Sequence, residues 1–322
     1  MTLLGGMDIG GTKCAVTLGR VKEQGMELLV RQSFPTPPTP EETLAALMDT
    51  MERLLAEKHS EEPLQAIGIS CGGPLNSRSG IVLSPPNLPG WDRIDCVTPV
   101  RERFGVPVGL QNDANACALA EWKWGAGKGC SNMVFLTFGT GMGAGLILNG
   151  QLYAGTNDMA GEVGHIRLAD DGPLGYGKAG SFEGFCSGGG IALLAKDRAK
   201  AAIEEGNPPS FCAAASELDD VTAQTVGEAA QHGDPLALEI YREVGRRLGQ
   251  GLAILVDLLN PERIVIGSIY GRQLSILEPI VKDYLEREAL SINRKACQVV
   301  PAGLGEIVGD VASLSVAAAM LG

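Results

Sequence analysis

Two stretches of the chain share one design: an apolar run ends in a bend of glycine and threonine, and a second apolar run follows at once. The first is Leu3 to Ile9, then Gly10-Gly11-Thr12, then Cys14 to Leu18; the second is Met133 to Phe138, then Gly139-Thr140-Gly141-Met142-Gly143, then Ala144 to Leu148. Each reads as strand, tight bend, strand, and the repetition predicts two similar halves, each opening on a loop of phosphate size. Bare glycine bends suit anions, because successive amides unshielded by side chains can converge on one charge. Asp8 stands at the end of the first apolar strand, where an ionised carboxylate is costly unless a cation or a donor pairs with it. A magnesium ion would serve, and a cap on the glycine turn is the plainer role. Two lobes facing one nucleotide are expected.

Composition narrows the class. With 322 residues, 45% of them hydrophobic, the chain can fill one large core or two ordinary ones, so extended disorder is not expected. A net charge of −12 repels phosphodiester backbones and anionic lipid, which argues against a nucleic-acid binder or a membrane-surface protein. The 44 glycines cluster in loops with no three-residue period, which excludes collagen. The eight cysteines form no CxxC pair, which disfavours a disulfide scaffold or a cysteine-rich zinc site. The amino terminus has no basic region ahead of an apolar core, and no apolar run nears the ~18 residues of a membrane span. A reduced, cytoplasmic protein is expected.

Local signals give an α/β alternation. Thr39, Pro40 and Glu42 form the start of a helix, with Thr39 and Glu42 as a capping box and Leu44, Leu47, Met48, Met51, Leu54 and Leu55 on one face. Ala66 to Ile69 reads as a buried strand, Thr98 to Phe104 as a helix closed by Gly105, and Val106 to Leu110 as a strand leading into Asn112-Asp113. Ala114 to Trp124 is helical, and Asn149-Gly150 closes a hairpin. Further on come a long helix from about Pro235 to Asn260, a strand at Ile264 to Ile266 and a last helix from Val311 to Leu321; Glu204 to Asp220 reads as a loop.

Two phosphate motifs are matched only formally. Gly139 to Ala144 fits the dinucleotide fingerprint GxGxxA, yet that motif must open a helix, and Gly145 to Leu148 is short, apolar and closed by a hairpin turn. Gly172 to Lys178 falls one residue short of a Walker A loop, because Ala179 replaces the hydroxyl that would hold magnesium. Asp113 follows Asn112 at a strand-to-helix junction, where either could cap the helix and where a general base could stand at the rim. Gly161-Glu162-Val163-Gly164-His165 sets an acid and one of three histidines between glycines, with no cysteine at ligand spacing.

At these residues the sequence resembles the ROK family of bacterial sugar kinases, within the actin, Hsp70 and hexokinase superfamily, from Met7 to the last helix. Asp8-Ile9-Gly10-Gly11-Thr12-Lys13 is similar to the family's first phosphate motif, and Thr137 to Gly143 to its second. Asn112-Asp113-Ala114-Asn115-Ala116 resembles the segment that carries the catalytic aspartate. The resemblance implies a two-lobed, actin-like (ribonuclease H-like) α/β fold with the active site in the interlobe cleft. Residues 1–115 with about 303–322 would form the first lobe and 116–302 the second. It further implies Asp113 as base and magnesium at Asp8, directly or through water. Gly10, Gly11, Thr12, Lys13, Thr137, Gly139, Thr140, Gly141 and Gly267 would serve the nucleotide. Gly72 and Gly73 would shape the sugar pocket, with Asn87, Asn112, Glu162, His165 and Glu183 on the sugar hydroxyls.

The chain departs from the family pattern in two places. The zinc motif CxCGxxGCxE falls on Leu174 to Glu183, with Leu174, Tyr176 and Ser181 in place of its cysteines, so structural zinc is not expected, and packing of Tyr176 and Phe182 would hold the loop instead. The adenosine-side glycine pair reads Gly267-Ser268. The expected activity is ATP- and Mg²⁺-dependent phosphorylation of a hexose, with glucose first and N-acetylmannosamine or N-acetylglucosamine as alternatives, by a homodimer that binds no nucleic acid. A sugar-sensing ROK regulator would carry a helix-turn-helix domain ahead of the first phosphate motif, where only six residues precede Met7. An ATP-driven switch of the actin and Hsp70 kind would leave Glu162, His165 and Glu183 without a sugar to bind.

Overall fold

Period-2 burial decides the first sheet. Along Thr2–Ile9, Leu3, Met7 and Ile9 enter one core with Leu47, Met51 and Leu54 of the helix Pro40–Lys58, while Leu4 enters a second core with Leu314 and Ala317 of the helix Val308–Ala319. A sheet covered on both faces needs an apolar run rather than strict alternation, and the run is what the sequence shows. The structure is a computed structural model that describes residues 2–23, 25–58 and 62–322. Its contacts divide the chain into two units: Met1–Ser131 with Gly145–Ala160 and Glu306–Gly322, and Asn132–Ala144 with Gly161–Gly305.

In the first unit Thr2–Ile9 pairs antiparallel with Lys13–Lys22, which pairs antiparallel with Gly25–Pro35. On its other side Thr2–Ile9 runs parallel to Leu64–Cys71, which runs parallel to Val108–Asn112. The backbone of the last helix lies directly on this sheet: a Cβ at Gly68 would stand 2.0 Å from the Ser313 carbonyl oxygen and 2.4 Å from the Ala317 amide nitrogen. The helix Asp113–Trp124 packs on that last helix, with Trp124 Nε1 donating to Ser315 Oγ at 3.0 Å. The expected division at residue 115 therefore falls inside one unit, because Asp113–Trp124 and the hairpin after it are held by first-unit contacts. That hairpin joins Ala144–Leu148 to Gln151–Leu152 through Asn149 (φ 53°) and Gly150 (φ 72°). Positive φ at both central residues is what a two-residue turn of this hand requires. A strand, not a helix, follows the second glycine bend, and the dinucleotide-fingerprint reading ends there.

The second unit holds three parallel strands, Met133–Leu136, Arg263–Ile266 and Gln298–Pro301, with Arg263–Ile266 in the middle. Its long helix, Pro235–Leu259, begins on Asp234, whose Oδ1 accepts from Ala237 N at 2.9 Å. Pro235 occupies its first turn and Asn260 ends it in the left-handed region, the start and stop chemistry expected of a helix. Gly245 and Gly249 let the helix Leu274–Glu288 approach closely, since a Cβ on either would fall under 3.0 Å from Ile280 or Tyr284. Gly188–Glu204, Ala223–Gln231 and a short 3-10 turn at Ala215–Asp220, within the expected loop, complete this helical face. Gly172 to Lys178 is not a phosphate loop: Leu174–Gly175 and Lys178–Ala179 form a hairpin turned by Tyr176 and Gly177, both at positive φ. No helix among the described residues is long and apolar enough to cross a membrane, and all eight cysteines are free thiols.

Gly68→Ala should destabilise the protein by about 2–3 kcal/mol through overpacking against the last helix, read as a lower urea midpoint with an unchanged slope. Gly309→Ala, on the same helix with open space around it, should leave stability equal or higher.

Candidate active site

Parallel register assembles the first group of candidates. Asp8 lies beside Ser70, and Ser70 beside Gln111, so Asp8 and the Asn112-Asp113 pair reach the same carboxyl edge from two strands that flank Leu64–Cys71, where open α/β sheets place their ligands. Asp8 is partly buried and hydrogen-bonded to Ser70, and desolvation pushes its carboxyl up to about 6, with the charge of Asp113 adding to the rise. Arg31 opposes that rise only modestly, because it is ion-paired to Asp310. Asn112 caps the helix with its Oδ1, which accepts from Asn115 N at 2.7 Å and leaves its amide NH₂ available for other work. Asp113 occupies the first helical position and remains open to solvent. Surrounding protein still displaces part of its hydration and raises its carboxyl above the ordinary range. The amide of Ala114 works against that rise, donating to Asp113 Oδ1 at 2.8 Å and stabilising the charged form.

The first glycine bend is shaped by close approach rather than by unusual torsions. Neither Gly10 nor Gly11 has positive φ, but a Cβ on Gly10 would stand 2.7 Å from the Lys13 oxygen and one on Gly11 2.3 Å from the Asn87 oxygen. Thr36 braces the bend by donating Oγ1 to the Gly10 oxygen at 2.6 Å and N to the Thr12 oxygen at 3.1 Å. Thr12, Lys13 and Asn87 stay exposed, and the Asn87 amide lies against Gly72. Gly73 has open space around it. Gly11, Gly72 and Asn87, far apart in sequence, thus meet beside Asp8.

The second unit gathers the rest. Thr137 Oγ1 accepts from Gly143 N at 2.8 Å, and Gly139 N donates to the Gly141 oxygen at 3.2 Å, which close the second bend and leave Thr140 exposed at its tip. Glu183 Oε2 accepts from Met142 N at 3.0 Å and would clash with any side chain at Gly141. Glu162 and His165 are both exposed, and the His165 ring meets Tyr176 edge-on at 6.2 Å.

Of the two side chains expected to hold the Leu174 to Glu183 loop by packing, Phe182 does so and Tyr176 does not. Tyr176 is 73% exposed and packs into nothing beneath it, because positive φ carries it outward at the hairpin tip. Phe182 is fully buried under Gly251, Phe182 N donates to the Ile166 oxygen at 2.8 Å, and Ser181, at a cysteine position of the family motif, caps the next turn by accepting from Gly184 N at 3.1 Å. Gln250 Nε2 donates to the Leu168 oxygen at 3.0 Å from the long helix.

Beside the second bend lies a cavity of about 890 Å³ that sequence reasoning did not find. Gly139 and Thr140 line one part of it, and Thr222, Gln224, Gln231 and Arg272 line another. These residues are scattered over more than a hundred positions and carry no shared spacing, so only the packing of Ala223–Gln231 against the helices Gly188–Glu204 and Pro235–Leu259 brings them together. Gly267 is buried at a strand end, and its neighbour Ser268 faces the cavity instead.

The first unit thus carries a strand-edge carboxylate pair beside a braced glycine bend, and the second unit carries a braced glycine bend beside a cavity. The chain belongs to the ROK family, whose model matches residues 4–319. It is 35% identical to the glucokinase of Streptomyces coelicolor, over 98% of each chain. It is similar to the ROK family glucokinase from Streptomyces griseus in complex with glucose and AMPPNP, at 32% identity and a TM-score of 0.76 over 98% of this chain and 99% of that one. It also superposes on a ROK family transcriptional regulator, a homolog of the E. coli MLC protein, at 26% identity and a TM-score of 0.85, covering 99% of this chain and 78% of that one.

Between the unfolded titration of an aspartate near pH 4 and the native value of about 6, the folded protein keeps a proton that the unfolded chain has lost, so stability falls as pH rises across that window. Asp8→Asn should therefore raise unfolding stability at pH 8 by about 1–3 kcal/mol and leave it unchanged below pH 4. A variant less stable than the parent at pH 8 in urea titration would contradict this account of Asp8. Phe182→Ala should cost about 3–5 kcal/mol, whereas Tyr176→Ala should cost almost nothing, both read by the same titration.

Proposed function

We propose that this chain is an ATP-dependent glucose kinase, moving the γ-phosphoryl group of ATP to the 6-hydroxyl of glucose. The observation that carries the reading is likeness over almost the full chain to glucokinases, at 35% and 32% identity, with the strand-edge aspartates at the motif positions. Asp113 takes the proton of the attacking hydroxyl as its oxygen bonds to the γ-phosphorus and ADP leaves. A base with a raised pKa suits this task better than an ordinary carboxylate, because its affinity for the proton is higher. Asn87, the free amide of Asn112, Glu162, His165 and the second oxygen of Glu183 orient the sugar, on a floor shaped by Gly72 and Gly73. The bends at Gly10-Gly11-Thr12-Lys13 and Gly139-Thr140-Gly141 receive the phosphates, with Thr137 bracing the second, and the cavity lined by Thr222, Gln224 and Arg272 receives the adenosine.

Magnesium fits the residues present. Asp8 is a partly buried carboxylate, the Arg31 charge that acts on it is already paired to Asp310, and Mg²⁺ is commonly held by one or two carboxylates together with waters and substrate phosphates. Bound at Asp8, directly or through water, it would neutralise charge on the transferring phosphoryl group. Positioning and electrostatics supply most of the catalysis in such transfers, so the protein's contribution is to fix hydroxyl, phosphorus and leaving oxygen in line.

A sugar-responsive regulator is the second reading, favoured by the TM-score of 0.85 to a transcriptional regulator. ADP release measured over glucose, mannose, fructose, N-acetylglucosamine and N-acetylmannosamine separates the two and ranks the substrates. Glucose-dependent ADP release with the highest kcat/KM is expected; sugar binding without ADP release favours the regulator. Asp113→Asn should keep glucose affinity and lose about 10²–10⁴-fold in kcat. In the parent, the acid limb of kcat/KM should lie above the ordinary aspartate value near pH 4, since the base must be unprotonated to act and its carboxyl is raised. Near-parental turnover of the Asn variant would remove Asp113 from the base role.

A further inference from the structure

Ser268 adopts φ 51° and ψ −109°. Glycine takes that backbone conformation freely, and an L residue is strained by it. The surroundings impose it. Gly267 N donates to the Leu136 oxygen at 3.0 Å and Ile269 N to the Phe138 oxygen at 2.9 Å, so the amides on both sides of Ser268 are tied to the segment entering the second glycine bend. A glycine here would carry no strain, and the pair Gly267-Ser268 stands where the family motif has two glycines. A serine nonetheless occupies this position, which penalises any side chain, and its hydroxyl caps nothing in the short helix it precedes.

That hydroxyl faces the nucleotide side of the unit. Ser268 lines the 890 Å³ cavity together with Gly139, Thr140 and Gly188, and its Oγ stands 3.7 Å from where a Cβ of Gly139 would be. We infer that Ser268 is a donor-nucleotide contact, its hydroxyl hydrogen-bonding ATP and ADP where the cavity meets the Gly139-Thr140-Gly141 bend. This rests on the kinase reading and adds a residue that the family motif, being glycine there, does not supply. Backbone strain is a cost that a bound ligand can justify, and outliers of this kind cluster at ligand-binding sites.

Ser268→Ala keeps the strained side chain and removes only the hydroxyl; Ser268→Gly removes both. Calorimetric titration with MgADP should show affinity about 3–10-fold weaker for both variants, the loss expected for one hydrogen bond. KM for ATP should rise in parallel while KM for glucose stays unchanged, a split that a merely structural residue would not produce. The glycine variant alone should melt above the parent. An alanine variant that binds MgADP as tightly as the parent overturns the role of Ser268 while leaving the kinase reading intact. A parent that binds no MgADP overturns the kinase reading itself, and the inference with it.

Discussion

The structure is organised around a carboxylate held where water is scarce. Asp8 ends an apolar strand that is covered on both faces, and the Ser70 hydroxyl is its side-chain hydrogen-bond partner. Everything that fixes its position also fixes the neighbouring strand ends: the parallel pairing through Leu64–Cys71 to Val108–Asn112, and the last helix lying on Gly6 and Gly68. Asp113 inherits its placement from the same register. The charge of Asp113 raises the proton affinity of Asp8, and a divalent cation on Asp8 would relieve that repulsion while leaving Asp113 free to accept a proton.

Local chemistry was legible wherever a short stretch determines its own geometry. Thr98–Phe104 and Ala144–Leu148 have the bounds their breakers and apolar runs predict, and Asn149-Gly150 makes the turn that those two residue types favour. The glycine bends were legible as sites but not in mechanism. Gly10, Gly11 and Gly141 are glycine because carbonyls and a carboxylate approach too closely for a Cβ, a tertiary fact absent from local sequence. Tyr176 was misread for a related reason: its aromatic bulk suggested burial, whereas the hairpin turn puts it at φ 44° and out into solvent. The boundary at residue 115 that the resemblance implies lies within the first unit, where Asp113–Trp124 contacts Val308–Ala319, nearly two hundred residues away.

The cavity beside the second bend shows the limit most clearly. Thr222 caps a helix, Arg272 ends another and Gly139 follows a strand, and no periodicity relates them. Their convergence follows from helix packing at Gly227, Gly245 and Gly249, where small residues let neighbouring side chains approach. The Leu174 to Glu183 loop is similar: a buried Phe182, a serine cap and the bond from Leu168 N to the Gly180 oxygen hold it, so that Glu183 keeps its grip on Met142 without thiolate ligands.

Phosphorus NMR of the protein mixed with ATP, Mg²⁺ and glucose tests the central assignment most directly. The γ-phosphate resonance should be replaced by a phosphate monoester coupled to the two C6 protons of the sugar, in step with ADP. Inorganic phosphate in place of the monoester, or an unchanged ATP spectrum, would contradict it.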